Sequence, residues 1–179
     1  MVAVVPLKAL DIAKSRLGVV LDADARHDLA LSMLARAVTA CRDAGLDVCV
    51  VSPDETVHEA AVALGVRFLD DGGADLTGAV ELALRAHHNA AVIVVLAADL
   101  PFVTTADVCA LLDAAQPLAI APAPDGTTNA VAARPPSAFT PSYGAGSAAR
   151  HGGVHVLRPG LARDLDTPAD LERALGSCA

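Results

Sequence analysis

The chain has 179 residues and a formal net charge of −8, and it is 54% hydrophobic but only 2% aromatic, without tryptophan. That length fits one domain, residues 1–179, whose core must be built from Ala, Val and Leu. The acidic balance is unfavourable for gripping a nucleic acid or an anionic membrane surface, so neither is expected as a partner, and a small anionic ligand would need a local cationic patch.

The N-terminus lacks the charged segment and long apolar run of a signal peptide, and the longest apolar run, Ala90 to Ala98, is too short to span a bilayer. Cys41, Cys49, Cys109 and Cys178 are scattered without zinc-ligand spacing and read as reduced thiols. A cytoplasmic protein is expected.

In chain order, the opening VAVVPLKALDIAKSRL predicts a strand over 2–5, followed by Lys8, Lys14 and Arg16, with the only two lysines of the chain among them. In many nucleotide-binding α/β proteins this point is a glycine-rich turn whose amides cradle phosphate. Here Pro6 has no N–H to give, so side chains must hold any anion; the alternative is a solvated charged face. Helices are expected near 24–44, 54–64, 74–88, 105–115 and 168–175, and further strands over 47–51, 66–69, 92–97, 118–121, 129–133 and 153–157. Asp22 or Asp24, Ser52-Pro53-Asp54 and Thr167-Pro168 mark helix starts. The alternation of strands and helices through residue 121 predicts a three-layer α/β fold with a mainly parallel, mixed sheet, and ligands on such sheets bind at the carboxyl ends of the strands.

Asp99 follows the apolar run VIVVL and precedes Leu100-Pro101, a place from which a carboxylate can hold a divalent cation or simply shape a turn. In RDLDTPADL, Asp164 and Asp166 stand two apart, so in an extended segment both point to one side and can join Asp99 at a metal; alternatively Asp166 or Thr167 caps the next helix. Thr127, Thr128 and Asn129 in GTTNAV, and Gly144, Gly146 and Ser147 in SYGAGSAARHG, offer hydroxyls and free amides to a phosphate or carboxylate. His151 reads as a solvated loop residue, with a ligand contact as the alternative.

Together, VVPLKALDIAKSRL, VVSPD, VLAADLP, GTTNAV, YGAGS and DLDTPADL resemble the 2-phospho-L-lactate and phosphoenolpyruvate guanylyltransferase family, in order over nearly the whole chain. The resemblance implies a nucleotidyltransferase fold of the glycosyltransferase-A type. It implies transfer of GMP from GTP, with Mg²⁺, to the phosphate of a three-carbon phospho-acid, releasing pyrophosphate and making a precursor of coenzyme F(420). It also implies roles: Lys8, Lys14 and Arg16 on the GTP phosphates, with Lys14, Arg16 and Asp99 as the catalytic set; Ser52 and Pro53 by the nucleoside; Asp99, Asp164 and Asp166 on the metal; and Thr128, Gly144 and Ser147 on the phospho-acid. Phosphoenolpyruvate is the acceptor expected ahead of 2-phospho-L-lactate.

Three other readings compete. A response-regulator receiver domain also carries a strand like VIVVLAADLP, but it needs a lysine near its fifth strand, and this chain has none after Lys14. A nucleotidyltransferase acting on 3-phosphoglycerate, a sugar phosphate or a pterin would share the fold; for the sugar and pterin enzymes the first loop should be glycine-rich. A binding-only homologue would be free to lose the acidic positions and the lysines that this chain retains. Oligomeric state is open, a homodimer included.

Overall fold

The computed structural model describes residues 1–176. Its seven strands, β1 (Val2–Pro6), β2 (Asp47–Val51), β3 (Arg67–Leu69), β4 (Ile93–Leu96), β5 (Leu118–Pro122), β6 (Thr128–Ala133) and β7 (Val154–His155), form one sheet in the order β3-β2-β1-β4-β6-β5-β7. β1 pairs parallel with β2 and β4, β2 with β3, and β5 with β7, whereas β6 runs antiparallel between β4 and β5. The mainly parallel, mixed sheet is therefore as the element order predicts. The reversal brings the start of β6, at Thr128 and Asn129, to the same edge as the C-terminal ends of β1, β2 and β4.

Both faces of the sheet are covered, which is why its strands read as unbroken apolar runs rather than alternating ones. Ala3, Val5, Val48, Val50, Val94 and Leu96 point to one face, where they meet Leu34 and Val38 of α1 (Ala23–Asp43), Val57 of α2 (Glu55–Ala63) and Leu111 of the helix over 105–114. Val4, Cys49, Val51, Ile93 and Val95 point to the other and meet Ala79, Val80 and Ala83 of α3 (Leu76–Ala86). Helix α4 (Thr105–Ala114) faces the alanine-rich β5 and β6, where Ala119, Ala121, Ala130 and Ala132 leave room for Leu111 and Leu161. Truncating a fully buried leucine such as Leu34 or Leu111 to alanine should cost about 2–5 kcal/mol.

Local chemistry sets the helix starts. The Asp22 carboxylate accepts from the Ala25 N–H at 2.8 Å, Asp54 from Thr56 and Val57, and Asp75 from Gly78, while Thr104 and Asp107 form a reciprocal capping box. Three short helices follow: α5 (Ser147–His151), α6 (Pro159–Ala162) and α7 (Pro168–Gly176). The first two lie outside the expected elements, because four or five residues show no helical period. Cys41 and Cys49 are buried free thiols and Cys109 is a half-buried one; Cys178 lies outside the described residues. Among the described residues no helix is long and apolar enough to cross a membrane.

Candidate active site

A cleft of about 710 Å³ opens where the strand ends converge. The loop after β1 lines it from Pro6 to Ala9 and again from Ile12 to Arg16, the tip of β4 contributes Ala97 to Asp99, the start of β6 contributes Thr128 and Asn129, and the loop before α3 contributes Asp71 and Gly73 to Asp75. The amide of Leu7 is used by the Val51 carbonyl at 2.9 Å and Pro6 has none, so neither offers an N–H to a ligand at the end of β1. Asp54 holds that loop in place: one carboxylate oxygen caps α2 while the other accepts from the Leu10 N–H at 2.8 Å.

The three acidic residues meet. Carboxylate oxygens of Asp99, Asp164 and Asp166 all lie within 4.8 Å of one another. Leu165 between the pair is buried against Leu17 and Met33, so its neighbours point the opposite way, and its N–H donates to the Asp99 carbonyl at 3.1 Å. The alternative of Asp166 as a helix cap is resolved as well: Thr167 and Asp170 cap α7, with the Thr167 N–H 2.7 Å from the Asp170 carboxylate, which leaves the Asp166 side chain free for the cleft.

Lys14 sits between two of these carboxylates, 2.7 Å from Asp99 and 2.6 Å from Asp166. It is the one non-glycine residue among those described with a left-handed backbone, φ 55°, a conformation that costs of order 1 kcal/mol and is kept where the surroundings hold it. Burial opposes its charge, but Asp99 and Asp166 more than offset this and raise its pKa. Asp164 is raised too, first by burial and then by the charge of Asp99. Three carboxylates this close favour a positive partner, and an all-oxygen donor set suits a hard divalent cation.

The cationic run therefore divides. Lys14 is committed to the carboxylates, whereas Lys8 and Arg16 are exposed on the cleft wall and form no salt bridge among the described residues. Arg16 also borders a second hollow of about 340 Å³ that holds Asp164, Asp166 and Arg163. Pro53 lines the main cleft; Ser52 lies fully buried behind it, its hydroxyl accepting from the Asp54 N–H at 3.2 Å, so it shapes the turn rather than facing a ligand.

At the other end, Thr128 lines the cleft, with Ser147 buried behind it and Gly144 on an exposed turn. His151 is not the solvated loop residue the sequence suggests: it is buried, because α5 folds it under the loop between Phe139 and Tyr143. Its Nε2 accepts from the Ser142 N–H at 3.0 Å, so Nδ1 carries the proton and donates to the Thr128 hydroxyl at 3.0 Å. Ser147 donates to the same oxygen at 3.2 Å. With both acceptor positions of Thr128 filled, its own proton is left for the cleft. Asn129 is spent on the Leu161 carbonyl at 3.0 Å, and Thr127 on Asp125. The loop carrying Asp71 and Asp75 was not legible as cleft wall, since its only local signal is a helix cap.

A phosphoenolpyruvate guanylyltransferase from Rubrobacter xylanophilus is 46% identical across 96% of this chain and 91% of its own length, and one from Sphaerobacter thermophilus is 42% identical across 98% and 92%. A nucleotidyl transferase from Methanothermobacter thermautotroptrophicus, 18% identical, shares the fold with a TM-score of 0.66 across 99% of both chains. Residues 1–158 match the family described as guanylyl transferase CofC like, and with relatives this similar over nearly its whole length the chain belongs to that family.

Proposed function

We propose that this chain transfers the GMP moiety of GTP to the phosphate of phosphoenolpyruvate, releasing pyrophosphate, as a step toward coenzyme F(420). The observation that carries this reading is the meeting of Asp99, Asp164 and Asp166 beside a cleft walled by Lys8 and Arg16. An oxygen of the acceptor phosphate forms a bond to the α-phosphorus of GTP as the bond to the β-phosphate oxygen breaks, and the electron pair leaves with pyrophosphate.

The chain contributes position and charge. Lys8 and Arg16 engage the triphosphate from the cleft wall, and Pro53, with Ser52 fixing its turn, borders the nucleoside. Thr128 points its hydroxyl proton at the acceptor, Ser147 and His151 fix the direction of that proton, and Gly144 supplies the turn that returns the chain to Ser147. Lys14 aligns Asp99 and Asp166 and neutralises them in part. Asp99, Asp164 and Asp166 would hold Mg²⁺, which neutralises phosphate charge when bound.

The test is incubation of the purified chain with GTP and Mg²⁺ and, separately, phosphoenolpyruvate, 2-phospho-L-lactate or 3-phosphoglycerate, following pyrophosphate and product mass. Pyrophosphate is expected with phosphoenolpyruvate. Release with another acid alone reassigns the acceptor, and release with none of the three overturns the reading.

A further inference from the structure

Among the described residues two buried side-chain polar atoms have no hydrogen-bond partner, Arg26 Nε and the Tyr143 hydroxyl oxygen. Arg26 does not border the cleft, and its Nη1 reaches the Ala13 carbonyl. Tyr143 does line the cleft. Its ring lies edge-on to His151 at 5.0 Å and to Phe139 at 6.3 Å, and its backbone N–H donates to the Thr77 hydroxyl at 3.2 Å. Arg150 clamps the same turn by donating to the carbonyls of Ser142 and Tyr143. The phenol is thus held rigidly, and burial pushes its pKa well above the ordinary value, so it remains a hydrogen-bond donor.

A buried hydroxyl held in place without a partner is a cost that native proteins rarely leave standing. Tyr143 and Thr128 flank one imidazole, His151, and both border the cleft. Thr128 keeps a proton beyond its two accepted bonds, and the buried Tyr143 hydroxyl has one with no acceptor in the protein. We propose that the Tyr143 hydroxyl is a further acceptor-binding group, donating to an anionic oxygen of the phospho-acid alongside Thr128. The inference rests on the reading of this cleft as a phospho-acid site.

Tyr143→Phe removes one oxygen and little else. In the ligand-free chain it should leave thermal stability unchanged or raised, because an unsatisfied polar atom is lost. With ligand it should raise the KM for phosphoenolpyruvate by about tenfold or more, the scale of a hydrogen bond to a charged group, while the KM for GTP stays within about twofold. Direct titration of the full chain with phosphoenolpyruvate by calorimetry should show the same loss. An acceptor KM and affinity equal to those of the parent chain overturn the proposal, as does a variant that melts markedly lower, which would make the hydroxyl structural. If the parent chain binds phosphoenolpyruvate without turning it over, the proposed reaction fails while the affinity ratio still decides Tyr143; if it neither binds nor turns over any phospho-acid, both fall.

Discussion

The Leu165 N–H donates to the Asp99 carbonyl at 3.1 Å, and this one backbone bond ties the segment carrying Asp164 and Asp166 to the tip of β4. Backbone thereby holds the three carboxylates at a common point, and Lys14 bridges Asp99 and Asp166 across it. Asp99→Asn should therefore leave the fold in place, since Lys14 keeps Asp166 as a partner. Turnover should fall by roughly a hundredfold or more, the scale of losing one electrostatic stabiliser. Steady-state kinetics paired with a thermal melt tests this; a folded variant with near-parental kcat refutes the assignment.

Lys14 neutralises charge that a cation would also neutralise. Removing it leaves three carboxylates together, and because Asp99 and Asp166 are partly open to water, at 27% and 42% side-chain exposure, the loss should be about 1–2 kcal/mol rather than that of a sealed pair. In Lys14→Ala, Mg²⁺ should raise the melting temperature more than it does in the parent chain, at matched ionic strength. An equal response in both would separate Lys14 from the carboxylate site.

His151 is held neutral. Burial lowers its pKa below 6.5, with the Arg150 charge adding to the effect, so below that pH the unfolded chain takes up a proton that the folded chain resists. Stability is present above about pH 6.5 and is lost as the pH falls through that region. His87 is lowered in the same direction, first by burial and then by Arg67, and contributes to the same slope. Urea unfolding at pH 7.5 and 5.5 should show the loss, and His151→Phe should shrink it without removing the part due to His87.

Asp170 tests the separation of cap from site. Burial works to raise its carboxyl, but hydrogen bonds from the Thr167 hydroxyl and amide, from Arg173 and from the Asp166 amide outweigh it and bring the pKa down to about 2. Its contribution is fully present above 3.8 and lost as the pH falls toward 2. Asp170→Ala should cost about 1 kcal/mol, as for a lost helix cap, with a reduced acid-induced loss. Loss of activity beyond what added Mg²⁺ restores would mean that Asp170 does more than hold the end of α7.

What the sequence determined by itself is the part governed by neighbours along the chain. Buried strands show as apolar runs, helix starts as Asp or Thr at the cap, and the i, i+2 spacing of Asp164 and Asp166 places them on one side of an extended segment, because each of these depends on a few adjacent residues. The motifs also carried the family. Only the tertiary structure decided what depends on distant partners. Lys14 and Asp166 are 152 positions apart, and nothing local says that this lysine, rather than Lys8, is drawn between carboxylates. The apolar pattern of β6 reads the same in either direction, so only its pairing with β4 and β5 shows that Thr128 faces the cleft. His151 looks like a loop residue until α5 buries it against Phe139 and Tyr143, because burial is a property of what packs around a side chain and not of the chain that carries it.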